Sequence, residues 1–232
     1  MFSSIGDWQF NDQVVKDFDS HVSKSVPFYD ECQRMILELS DFYITDNSNV
    51  YDLGVSTGTM IKKIMQVHLQ RTIRFIGFDY SQPMIDHAKR EIGSFSNLIL
   101  EKVDLNHEQN YKIDNASLVL LNYTLQFLEP KHRQSLITSI NRGLNDNGAL
   151  IFIEKVIGNE TRFNEIYIQL HQDLKLRNGL TLEQIKGKES SLRGILKTYT
   201  LNQNLEMLHR AGFENIDLFF KWYNFVGIIA VK

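Results

Sequence analysis

Residues 116–121 read Ala-Ser-Leu-Val-Leu-Leu, an almost unbroken apolar run. A strand with one wet face alternates apolar and polar residues. A continuous run instead belongs to a strand covered on both faces, as in a parallel sheet between two helical layers. The flanking sequence repeats this pattern. Strand-like segments at 49–53, 73–78, 98–103 and 149–153 alternate with helical spacing at 60–65, 84–92 and 130–144. That β-α-β-α order predicts an α/β fold with a doubly wound parallel sheet.

Two helices, at 14–22 and 29–42, precede this alternation and are separated by Val26-Pro27. Residues 145–148, Asn-Asp-Asn-Gly, are expected to turn into the strand at 149–153. The stretch from 161 to 201 is helical but too long for one crossover, so it is expected to be an inserted lid. A helix at 205–211 then leads to strands at 216–220 and 225–231, a closing hairpin with an antiparallel edge and the sixth and seventh strands of the sheet. With 3 Pro, 13 Gly and no low-complexity linker, the reading is one domain over 1–232, with N-terminal helices over 1–47 and a lid over 158–200. A formal net charge of −3 carries no basic excess, which points to a small-molecule substrate rather than nucleic acid. Cys32 is the lone cysteine, and no Cys/His cluster has zinc spacing, so no metal is expected. The N-terminus does not resemble a signal peptide, and no run approaches the ~20 apolar residues of a membrane span. Cytoplasmic localisation and no membrane contact are expected.

The chemistry centres on Asp52-Leu53-Gly54-Val55-Ser56-Thr57-Gly58, where the first core strand runs into a helix. A dinucleotide fingerprint needs a middle glycine where Ser56 stands and a third glycine that is absent. Gly54 to Gly58 also spells G-x-S-x-G, the hydrolase elbow, but that elbow normally follows several strands and requires an acid and a histidine on later loops. His209, the candidate histidine weighed for that role, falls within a predicted helix. S-adenosylmethionine fits better, because its methionine end brings an ammonium and a sulfonium in place of phosphates. Asp52 can balance that charge, Asp79 can accept the ribose hydroxyls, and Asp104 can accept from the adenine amino group. These three acids sit at the ends of successive strands. Against that reading, Asp52 and Asp79 could simply cap helices.

With these residues in view, the chain resembles a class I methyltransferase with a Rossmann-like sheet. More narrowly, it resembles the bacterial carboxy-S-adenosylmethionine synthases of tRNA wobble-uridine modification. Matching stretches are Gly6-Asp7-Trp8 with Phe10, Ser25-Val26-Pro27 with Tyr29, residues 50–54, Asn115-Ala116-Ser117, the block from Leu121 to Pro130, Glu154-Lys155, Asn178-Gly179, Ala211-Gly212-Phe213 and Tyr223-Asn224-Phe225. The resemblance implies cofactor contacts from Tyr29, Gly54, Asp79, Tyr80, Asp104, Leu105 and Asn122. The glycine loop adds Asp52, Val55, Ser56 and Gly58. Tyr80 stands where the family usually has Asn, and its ring could stack on adenine. The resemblance also implies a homodimer.

The family's lid arginine, which pairs with the extra carboxylate of the carboxylated cofactor, falls on Glu189 by the spacing from Asn178-Gly179. Arg193 lies four residues on, where it could replace that arginine or pair with Glu189 across one helical turn. An acid at 189 makes plain methyl transfer from S-adenosylmethionine to a small acceptor the leading expectation. The alternatives are carboxylate transfer from prephenate and a non-catalytic partner subunit. Candidate catalytic residues are His171, the best base by its ordinary pKa, with Tyr29, Arg193 and Tyr199. Tyr123 is a further pocket candidate, and Gln126 and Trp222 are expected in its wall or in the core.

Overall fold

The computed structural model describes Gly6 and residues 12–232. Asp7, Trp8 and Phe10 therefore lie outside the described residues. Helices α1 (Asp12–Ser25) and α2 (Tyr29–Tyr43) lead into β1 (Ser48–Leu53), α3 (Thr59–Val67), β2 (Ile73–Asp79), α4 (Gln82–Ile92), β3 (Leu98–Lys102) and β4 (Ala116–Asn122). Then come α5 (Pro130–Gly143), β5 (Leu144–Lys155), α6 (Thr161–Arg177), α7 (Leu182–Ser191), α8 (Leu201–Arg210), β6 (Asn215–Trp222) and β7 (Phe225–Val231). The sheet has seven strands in the order β3-β2-β1-β4-β5-β7-β6. All pairings are parallel except those of β7, which runs antiparallel to both β5 and β6. The closing hairpin is thus present, with the antiparallel strand one place in from the edge.

The apolar run at the centre of β4 explains the layering. Successive side chains on a strand point to opposite faces. Val119 and Leu121 pack with Leu136, Ile137 and Ile140 of α5 and with Met207 and Leu208 of α8. Leu118 and Leu120 pack instead with Ile36 of α2, Ile61 and Ile64 of α3 and Ile85 of α4. All four β4 side chains are fully buried.

Residues 145–148 form no free turn. They belong to β5, whose pairing with β4 shifts register between Ala116 and Leu118. Asn147 takes a left-handed conformation at φ 62°. Its N–H reaches Lys232 O at 3.1 Å, and Gly148 O accepts Lys232 N–H at 3.0 Å. Pairing with the end of the chain absorbs the polar residues that a sequence reader takes for a loop.

The lid consists of α6 and α7, joined at a capping box in which Thr181 and Gln184 satisfy each other's backbone N–H. It enters and leaves the fold at one point, where Ile157 N–H donates to Tyr199 O at 3.0 Å. Helix α1 is tied to this lid. Its last carbonyls have no partner within the helix. Ser25 O accepts from His171 Nε2 at 2.8 Å, and Lys24 O accepts from Asn178 Nδ2 at 2.9 Å.

A buried arginine joins the lid to the sheet. Arg133, 1 % exposed, donates to Leu128 O at 2.9 and 3.1 Å and to the carbonyls of Gln126 and Lys197. Glu154 on β5 accepts the N–H groups of Leu125 and Gln126 at 2.9 and 3.0 Å. Replacing Arg133 with Met leaves those buried carbonyls without a donor. A loss of about 1–3 kcal/mol is expected, read as a lower denaturant midpoint at unchanged slope.

Candidate active site

A cleft of about 1490 Å³ opens along the carboxyl ends of the parallel strands. In open α/β sheets ligands bind in the crevice where strand order reverses, here between β1 and β4. The glycine loop crosses that point. Gly54 has φ +92°, and a Cβ there would lie 2.0 Å from Thr124 Oγ1, so only glycine lets the two loops meet.

Asp79 holds the loop in shape. Its Oδ2 accepts Ser56 N–H at 2.9 Å and its Oδ1 accepts Ser81 N–H at 2.8 Å. Each oxygen keeps a further lone pair toward the cleft for a hydroxyl donor. Asp52 is 2 % exposed, and its Oδ1 has no hydrogen-bond partner. Burial, with Asp79 adding to it, pushes its carboxyl up to about 7. Asn122 Oδ1 is likewise buried without a partner. Unsatisfied buried acceptors are rare in native folds and call for a donor. The ammonium, ribose and adenine amino groups of S-adenosylmethionine supply such donors, so these residues fit that cofactor. When bound it supplies an activated methyl carbon on a sulfonium.

The structure brings most of the expected residues to the cleft. Tyr29, Asp52, Gly54, Val55, Ser56, Asp79, Tyr80, Asp104, Leu105, Asn122, Tyr123, Gln126, His171 and Arg193 all line it. Tyr80 is 69 % exposed, with Lys102 Nζ over its ring at 5.9 Å from the centroid. Asp104 Oδ1 accepts both the backbone and the side-chain N–H of Asn106, each at 2.9 Å. Asp52 and Asp79 cap no helix: the cap of α4 is Ser81, and α3 starts from Gly58.

Other expectations are corrected. Gly58 does not line the cleft; it starts α3 at φ +82°, where a Cβ would lie 2.7 Å from Ile92 Cδ1, so it serves helix packing. Tyr199 is absent from the cleft lining and covers the Arg133 guanidinium, 4.4 Å from its ring centroid. His171 reaches the cleft but is a poor base. Burial, then Lys175 and Lys155, pushes it down to about 3. Its ring sits edge-on to Phe225, and its Nε2 is held by Ser25 O. The hydrolase elbow also fails. Ser56 has the positive φ of an elbow, 52°, but its Oγ faces Met84 Sδ, and His209 Nδ1 lies 3.1 Å from Phe213 O. Arg193 lies beyond the end of α7 and is exposed. Glu189 pairs with Lys175 at 3.5 Å and accepts from Gln172 Nε2 at 3.2 Å, so the pair expected with Arg193 is replaced by these contacts.

Sequence reasoning missed Lys155, Lys175 and Lys188, which all line the cleft. Burial, followed by Lys175, pushes Lys155 down to about 8, while Glu189 opposes the shift. Burial and then Lys175 push Lys188 down to about 7. Lys155 ends β5 just as Asp79 ends β2, so the strand-end rule that found the acids would have found it too.

Fold and site together define a class I methyltransferase architecture. A methyltransferase-domain family model matches residues 51–150. Among solved structures, the chain superposes on an O-methyltransferase family protein from Burkholderia thailandensis with a TM-score of 0.69 at 13% identity, covering 96% of this chain and 60% of that one. It superposes on human N-acetylserotonin methyltransferase in complex with SAM with a TM-score of 0.61 at 16% identity, covering 96% of this chain and 56% of that one. At this identity the likeness concerns the fold. Sequence narrows it further. The chain is 42% identical to the carboxy-S-adenosyl-L-methionine synthase of Methylococcus capsulatus, over 99% of this chain and 96% of that protein. It is also 42% identical to that of Staphylococcus epidermidis, over 97% of each. The chain belongs to the carboxy-S-adenosyl-L-methionine synthase family.

Asp52 gives a sharp test of the cofactor site. A ligand ammonium favours its ionised form, so affinity for S-adenosylmethionine should rise with pH up to about 7 and level off above, with proton release on binding. Asp52→Asn should lose about tenfold or more in affinity and abolish that slope in calorimetry.

Proposed function

We propose that this protein carboxylates the methyl group of S-adenosylmethionine, taking the carboxylate from an organic acid. The family resemblance supplies prephenate as that donor. The carbon–carbon bond to the ring carboxylate breaks, releasing carbon dioxide, and its electron pair aromatises the ring by expelling the ring hydroxyl as hydroxide. Hydroxide takes a proton from the sulfonium methyl group to become water, and the methyl carbon uses the freed electron pair to bond to carbon dioxide.

One observation carries the proposal: the charge balance on the lid side of the cleft. Among the described residues, Lys155 at the end of β5 and Lys175, Lys188 and Arg193 of the lid line it, where Glu189 is the one lid acid; Asp17 of α1 lines the cleft as well. Burial lowers Lys155, Lys175 and Lys188 alike, and Lys175 lowers the other two further. A sulfonium entering among these amines adds one more positive charge. A carboxylate on the same methyl carbon reverses the interaction, because opposite charges in a partly closed site attract with little screening. The names of the relatives agree with this reading. The site's own residues bind and orient: Asp52, Asp79 and Asn122 hold the cofactor, and the lysines receive the added carboxylate. Plain methyl transfer is the second reading, favoured by Glu189, which already neutralises one of those lysines.

Calorimetry at neutral pH separates the two. The carboxylated cofactor should bind about tenfold or more tightly than S-adenosylmethionine. The advantage should narrow as pH rises past about 8, where Lys155 loses its proton in the free protein. Equal or weaker binding of the carboxylated form returns the assignment to methyl transfer.

A further inference from the structure

We infer that Lys155 and Lys175 form the subsite for the ligand's carboxylate, and that Glu189 is the internal counter-ion that yields this subsite to it. The assignment rests on the carboxylated-cofactor reading and names the groups that give it specificity.

Position comes first. Lys155 ends β5, two residues beyond Ile153, which pairs with Asn122 at the end of β4. It therefore sits beside the point where the cofactor's acceptors converge. Its backbone is fixed, its N–H donating to Gln126 Oε1 at 3.2 Å. Its neighbour Glu154 turns the other way, onto the N–H groups of Leu125 and Gln126, so that acid offers Lys155 no direct partner. Lys175 approaches from the lid helix α6, 8 % exposed. The two amines and Glu189 share one field: Lys175 and Glu189 both act on Lys155, and both lysines act on His171.

The contacts of Glu189 are those of a displaceable group. Charge-assisted N–H···O bonds normally close to about 2.7–2.9 Å. Here Lys175 Nζ stands 3.5 Å from Glu189 Oε1, and Gln172 Nε2 stands 3.2 and 3.4 Å from its two oxygens. The Glu189 side chain is 40% exposed, so it can swing into water at little desolvation cost. Lys188, the remaining lining lysine, lies on α7 next to Glu189, and burial and then Lys175 push it down to about 7, so at neutral pH it carries less charge than Lys155. Other cations are less suited. Arg193 is an exposed rim residue past the end of α7. His171 is held neutral and contributes no charge.

The assignment is tested by calorimetry with two probes, S-adenosylmethionine and its carboxylated form, on the full chain. Lys155→Met and Lys175→Met should each reduce affinity for the carboxylated form about tenfold or more, with S-adenosylmethionine held within about threefold. Lys155→Arg, which keeps the charge, should retain most of the preference. Glu189→Gln should tighten the carboxylated form several-fold, because no internal anion competes. The S-adenosylmethionine affinity of each variant reports whether the cofactor site still folds, and Lys155→Gln and Lys175→Gln, with the same expected loss of preference, serve if the Met variants do not. A wild-type preference that survives in Lys155→Met, or disappears only in Arg193→Met, overturns the subsite. A wild-type protein with no preference overturns the functional reading itself.

Discussion

The cleft depends on a small polar clasp inside an otherwise apolar fold. Glu154 accepts two N–H groups from the turn after β4, and Arg133 donates to carbonyls of that turn and of the segment closing the lid. Carboxylate and guanidinium thereby satisfy backbone groups on both sides of one loop. Burial raises Glu154, to about 8, and lowers Arg133; their mutual attraction opposes both shifts. Such a network is costly to break because each remaining group would be buried without a partner. What it fixes is functional. Asn122, Tyr123 and Thr124 enter the cleft on one flank of the clasp, and the lid returns to the sheet on the other. Tyr123 takes a left-handed φ of 56°, held by its N–H donating to Ile153 O at 2.7 Å and its carbonyl accepting from Gln126 Nε2 at 3.1 Å.

Around that fixed wall the charges fall unevenly: acids predominate at the ends of β1 to β3, where Lys102 also lines the cleft, and amines predominate at β5 and the lid, where Glu189 does. Asp52, Asp79 and Asp104 stand at or just beyond the ends of β1, β2 and β3, and Lys155 ends β5 with Lys175 and Lys188 across from it on the lid. Helix α1 bridges the two sides. Asp19 accepts from Thr57 and Thr59 at the glycine loop, while the carbonyls at the helix end hold His171 and Asn178 of the lid. A ligand with an ammonium and hydroxyls at one end and a carboxylate near its reacting carbon matches this polarity. S-adenosylmethionine meets the first half of that description, and its carboxylated form meets both. Among the described residues, no helix is long and apolar enough to cross a membrane.

Much of this was legible in the sequence, for physical reasons. The unbroken run in β4 announces burial on two faces, and acids at strand ends announce a cofactor crevice. The pairing of residues 145–148 was not legible, because a Asn-Asp-Asn-Gly stretch reads as a turn unless the strand opposite is known. His171 misled for a similar reason: its ordinary pKa suits a base, but its surroundings of Phe225, Ser25 O and two lysines do not. Glu189 reads one way as a letter and another in the fold: alone it argues against carboxylate binding, while its partners there are Lys175 and Gln172. Tyr199 and Gly58, read as site residues, pack against Arg133 and Ile92 instead of lining the cleft, contacts that leave no mark in one sequence.

The central claim is that the methyl carbon gains a carboxylate here rather than leaving for an acceptor. The most direct measurement incubates the protein with S-adenosylmethionine and prephenate carrying a carbon label in its ring carboxylate, then weighs the nucleoside product by mass spectrometry. The expected product, weighed as the singly charged cation, is heavier than S-adenosylmethionine by one labelled carbon dioxide. Formation of S-adenosylhomocysteine with no labelled nucleoside would contradict it.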